Sequence, residues 1–89
     1  MIVCKRVRYS GRVQGVGFRY TAQRIAQGLS VAGYVKNLAS GQVELLAEGH
    51  AEIVDDFLRR LADEMIGCVL RAEVSAETPQ GLTGFEIRF

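Results

Sequence analysis

Two stretches of this chain carry apolar residues at helical spacing, and each is flanked by stretches in which apolar and polar residues alternate. Period 3.6 set between stretches of period 2, twice over in one short chain, leaves few folds open. The first alternating stretch runs to Val13, with Val7, Tyr9 and Val13 on one side and Arg6, Arg8, Ser10 and Arg12 on the other. Lys5 falls on the apolar side, near enough to the chain start for its head to reach water. After the glycine-bearing loop Gln14-Gly15-Val16-Gly17, the residues Phe18, Ala22, Ile25, Ala26 and Leu29 mark one face of a helix that Gly28 is suited to end. A second strand spans Val31 to Leu38, and Ala39-Ser40-Gly41 turns the chain. In a third strand Val43, Leu45 and Ala47 alternate with Gln42, Glu44 and Glu48.

Gly49-His50 leads into the second helix, striped by Ile53, Val54, Phe57, Leu58, Leu61 and Met65 and stopped by Gly67. Glu52, Asp55 and Asp56 lie early in it, at the positive end of the helix dipole. Leu70, Ala72, Val74 and Ala76 then alternate with Arg71, Glu73, Ser75 and Glu77. Thr78-Pro79-Gln80-Gly81 turns, and Phe85, Ile87 and Phe89 give a short last strand.

The order β-α-β-β-α-β with one strand appended predicts an α+β fold of ferredoxin-like type, a split β-α-β sandwich. It has an antiparallel sheet, two helices on one face and a short C-terminal strand, as a single domain over residues 1–89. Right-handed crossovers set the four main strands in the order 4-1-3-2. The first and second strands then run parallel with the third between them. The loop after the first strand and the end of the second therefore converge.

Composition narrows the function. Lys plus Arg total 11 against 10 for Asp plus Glu, a net charge of +1, which offers no bulk field for nucleic acid or an anionic membrane. The third strand lacks the stacking aromatics of an RNA-binding sheet. No apolar run reaches the length of a membrane span and the first residues do not read as a signal peptide, which points to a soluble, cytoplasmic protein. The even charge and small core point to a monomer. Cys4 and Cys68 are too sparse for a disulfide framework or a zinc site. They are expected near opposite edges of the sheet, as small, partly buried apolar residues without an intrachain bridge. His50, the one histidine, is expected to cap the second helix or face solvent. Tyr20 and Tyr34 can border a substrate mouth or simply pack. No metal site or cofactor is expected.

The loop from Gln14 to Arg19 joins a strand to a helix start. Two glycines allow the backbone to curl until successive N–H groups point inward, and the helix start adds unpaired N–H groups. Such a nest suits a phosphate-sized anion. Arg19 opposes the helix dipole at that position, which a bound oxyanion explains. Taken alone, a strand-to-helix turn with an exposed arginine accounts for the same residues.

The run Gly11-Arg12-Val13-Gln14-Gly15-Val16-Gly17-Phe18-Arg19, followed by Gly33-Tyr34-Val35-Lys36-Asn37, resembles the two signatures of the acylphosphatase family. The order of elements agrees over essentially the whole chain. The resemblance implies a hydrolase that cleaves the carboxyl–phosphate bond of small-molecule acyl phosphates, releasing carboxylate and inorganic phosphate without a metal. It assigns Arg19 to phosphate binding and Asn37 to positioning the attacking water, with Gln14, Gly15, Val16, Gly17 and Phe18 as the cradle. Two positions depart from the pattern. Leu38 stands where many relatives carry a small hydroxyl residue, and Met65-Ile66-Gly67-Cys68 replaces a proline-containing turn. The chain stops just after its last strand, which favours a free-standing enzyme over a domain of a larger maturation protein. A non-catalytic acyl-phosphate binder is the alternative.

Overall fold

The computed structural model describes residues 1–89. Its elements are β1 (Ile2–Gly11), α1 (Phe18–Gln27), β2 (Ala32–Asn37), β3 (Val43–His50), α2 (Ala51–Glu64), β4 (Val69–Glu77) and β5 (Phe85–Arg88). The spatial order is β4-β1-β3-β2-β5, so the four main strands stand as the right-handed crossovers predict. Among those four, every neighbouring pair is antiparallel. β5, whose partner the sequence leaves open, pairs parallel to β2, from Gly33 opposite Phe85 to Lys36 opposite Arg88. The reason is directional. β4 ends beside the start of β1, at the end of the sheet where β2 begins, and a strand restarting from that end runs the same way as β2.

Both helices cover one face of the sheet. Phe18, Ala22, Ile25 and Ala26 of α1 and Val54, Phe57 and Leu61 of α2 share a core with Val7, Tyr9, Val35, Val43 and Leu45. The Phe18 ring lies 4.8 Å from that of Tyr9, which pins the first residue of α1 to the sheet. Gly33 lets β2 lie close on β3: a Cβ there would stand 1.8 Å from the Leu46 carbonyl oxygen, a contact no side chain can make. No helix is long and apolar enough to cross a membrane.

Two expectations shift in detail. Val69, not Leu70, packs against the core, and Leu70 is 88% exposed. The register of β1 and β4 slips between Ser10 and Gly11, and the extra residue reverses the alternation at the start of β4. Cys4 and Cys68 lie toward opposite ends of neighbouring strands rather than at opposite edges; both thiols are free. His50 precedes α2 and is exposed, with no side-chain capping bond.

The other face of the sheet carries charge rather than helices. Glu44 and Glu48, read from the alternation as outward residues, are buried at 6% and 5% exposure. Glu44 meets the Tyr34 hydroxyl at 2.9 Å and Arg6 at 3.2 Å. Burial pushes its carboxyl up, but the Tyr34 hydroxyl and the charges of Arg6 and Lys36 hold it below the ordinary range. Glu48 accepts the N–H groups of Gln80 at 2.6 Å and Leu82 at 2.8 Å, tying down the loop before β5; those bonds lower its carboxyl too. The Arg6 guanidinium does the same for Glu77. Depressed carboxyls contribute stability that is present above the unfolded value of about 4.3 and is lost as pH falls from there through the lowered folded values. The urea midpoint is expected to drop between about pH 5 and pH 3, and Glu44→Gln to flatten that dependence. A midpoint independent of pH over that range would remove this network from the stability of the fold.

Candidate active site

β1 ends at Gly11 and α1 begins at Phe18, and the chain between them turns through Gly15 at φ 77° and Gly17 at φ 78°. Left-handed glycines in such a turn bring successive N–H groups to one side. None of the backbone N–H groups of residues 15 to 20 meets a hydrogen-bond acceptor in the chain. Gly17 caps the helix without a side chain, and the first turn holds no acidic residue. A run of free donors at a helix start can accept an anion.

Of these residues, Gly15, Gly17, Phe18, Arg19 and Tyr20 border a hollow of about 190 Å³. Gly15, Gly17, Phe18 and Arg19 form one wall, Asn37 the second, and Ile87 and Phe89 the third. Period two explains the arrival of Asn37: it sits two residues beyond the fully buried Val35 and so faces the helix side of the sheet, as Lys36 does not. Its Oδ1 is buried with no hydrogen-bond partner. An amide oxygen in that condition calls for a donor from outside the protein. No small hydroxyl follows it to occupy that oxygen, since the next residue is Leu38.

Arg19 pairs with no carboxylate. Its Nη1 donates to the Arg88 carbonyl at 3.1 Å, and its guanidinium carbon lies 4.7 Å from the centre of the Phe89 ring. The end of β5 thus orients the fork, leaving most of its five donors free. Arg88 and Phe89 were not legible as contributors, because nothing in the sequence tells which edge the last strand joins.

The structure brings Gly15, Gly17, Phe18, Arg19 and Asn37 to the hollow, Phe18 through its backbone because its ring is in the core. Val16 sits on the loop, 36% exposed, and does not line it. Gln14 points elsewhere: its Nε2 donates to the Leu38 and Gln42 carbonyls, both at 2.9 Å. It ties the glycine loop to the turn that follows Asn37. Losing this tie, in Gln14→Ala, is expected to lower kcat about tenfold while the fold survives, since positioning errors of this size are costly. Steady-state kinetics alongside circular dichroism checks it; an unchanged kcat would deny Gln14 a positioning role. Tyr20 lines the hollow, whereas Tyr34 belongs to the charged face, with its hydroxyl on Glu44.

The same architecture recurs among known proteins. The family model for acylphosphatase matches residues 5–87. An acylphosphatase of Nostoc sp. is 41% identical over 88 residues, covering 98% of this chain and 87% of the relative. One from Thermococcus kodakarensis is 43% identical over 82 residues, covering 91% of this chain and 90% of the relative. The crystal structure of acylphosphatase from Bacillus subtilis superposes with a TM-score of 0.91 at 35% identity, over 100% of both chains. A match along nearly the whole chain, in sequence and in shape alike, makes this protein a member of the acylphosphatase family, enzymes that hydrolyse acyl phosphates.

Proposed function

We propose that the phosphoryl group of the substrate sits on the N–H groups of residues 15 to 20, clasped by Arg19, with the attacking water held by Asn37. The observation that carries this reading is the convergence, on one hollow, of unsatisfied backbone donors, Arg19 and Asn37, whose Oδ1 has no partner in the chain. The donors suit the oxygens of the transferring group, where charge builds in the transition state. The acceptor suits a water: Oδ1 takes one of its protons in a hydrogen bond and turns a lone pair toward phosphorus.

The departing group is a carboxylate, which leaves near neutral pH without a general acid. The lining of the hollow holds no carboxylate, thiol or imidazole to act as a base. The water's proton passes to a phosphoryl oxygen of the substrate, the basic group nearest to it. What remains for the protein is positioning and charge stabilisation, the larger part of phosphoryl-transfer catalysis.

The test is hydrolysis of acetyl or benzoyl phosphate in excess chelator, with inorganic phosphate as inhibitor. Chelator-insensitive turnover, inhibited competitively by phosphate, is expected. No turnover combined with thermal stabilisation by phosphate would make the protein a binder instead.

A further inference from the structure

β4 stands at one edge of the sheet and pairs with β1 alone. Its nine residues contain no proline, and the outer row of its backbone N–H and C=O groups has no partner in the chain. Such an edge is a template for another strand unless side chains forbid it. Here the side chains specify what fits. On the face free of helices, one row of register partners crosses four strands: Lys36 faces Glu44, Glu44 faces Arg8, and Arg8 faces Glu73. The charges alternate in sign, and the row stops at the open edge on a carboxylate that is more than half exposed. A further strand fits best if it sets a cation beside Glu73. β4 itself carries one two residues away on the same face: Arg71, its side chain 72% exposed, whose one ion pair is with Glu73 at 3.4 Å.

We propose that a second copy of this chain docks along β4, strand against strand, about a two-fold axis through Ala72. In that antiparallel register Arg71 faces the second copy's Glu73, twice by symmetry, and the alternating row runs on across the join. The neighbouring registers fail. An axis through Arg71 sets the two Arg71 side chains against each other, and an axis through Glu73 does the same for the two carboxylates. An axis through Val74 offers Arg71 only Glu77, which Arg6 already holds. The Ala72 register also sets Leu70, 88% exposed, opposite Val74, 56% exposed, covering apolar surface that a single chain leaves in water. Net charge, which points to a monomer, does not register this order along the edge. Each copy spends its β4 edge on the other, so the assembly closes at two chains. No residue of β4 lines the hollow, which stays open in the pair. The interface is a few facing pairs wide, so the dimer is a weak one, with Kd on the order of a millimolar.

Sedimentation equilibrium tests the pairing. The parent is expected to reach a weight-average mass of about 1.5 times one chain at about 1 mM protein and never to exceed two chains. Arg71→Glu and Glu73→Arg, both at exposed positions, should each stay at one chain, because each sets like charges across the join. An equimolar mixture of the two variants should associate where neither does alone, since every introduced charge then faces its opposite. A parent that stays at one chain at about 1 mM, single variants as heavy as the parent, or a mixture no heavier than its components would each overturn the pairing. A parent mass climbing past two chains would overturn the closed two-fold.

Discussion

Replacing Arg19 by glutamine is expected to cost on the order of 3 kcal/mol or more of transition-state stabilisation, at least about a hundredfold in kcat/KM. Glutamine keeps a donor but loses the charge and the fork. Lysine keeps the charge as a point and should restore little, because three equatorial oxygens call for the planar spread of a guanidinium. The fold should tolerate both changes, since Arg19 makes one hydrogen bond, to the Arg88 carbonyl, and no ion pair. Benzoyl phosphate kinetics on parent, Arg19→Gln and Arg19→Lys, with thermal melts alongside, decide the matter. A lysine variant at parental rate would show that positive charge suffices and the fork is idle.

Asn37→Ala should act differently. It removes the acceptor for the water and leaves the amides and Arg19 in place. Turnover is expected to fall by about a hundredfold, the scale of one preorganised hydrogen-bonding group at a reacting centre. Affinity for inorganic phosphate should stay within about twofold, because the phosphate-binding donors are untouched. If phosphate affinity collapsed with turnover, Asn37 would belong to the cradle rather than to the water.

The roles proposed for these two residues came from the family resemblance; their meeting at one hollow was legible because each is placed by a strong local rule. Asn37 shares the parity of Val35, whose burial fixes the face, and Arg19 follows a glycine turn into a helix whose apolar stripe fixes its start. The strand order was legible for a similar reason: alternation identifies strands, and handed crossovers leave one arrangement. The remainder escaped where a contact depends on distant chain. Gln14 lies next to the cradle in sequence, yet its amide reaches the carbonyls of Leu38 and Gln42, an arrangement only the closed sheet creates. The inserted residue at the start of β4 exchanged the roles of Val69 and Leu70, since a bulge shifts parity without altering the apolar pattern. Glu44 and Glu48 read as outward residues because alternation reports the face a side chain takes, not what else covers that face. Four residues of β5 carry too little periodicity to declare a parallel partner.

The central claim is that the unpaired amides after β1 receive the phosphoryl group. Titration of uniformly ¹⁵N-labelled protein with inorganic phosphate, followed amide by amide, tests it most directly. The account predicts saturable downfield proton shifts concentrated on residues 15 to 20, with the Arg19 side chain responding at the same concentration and β4 silent. Shifts that never saturate, or that saturate on another part of the molecule while those amides stay still, would contradict it.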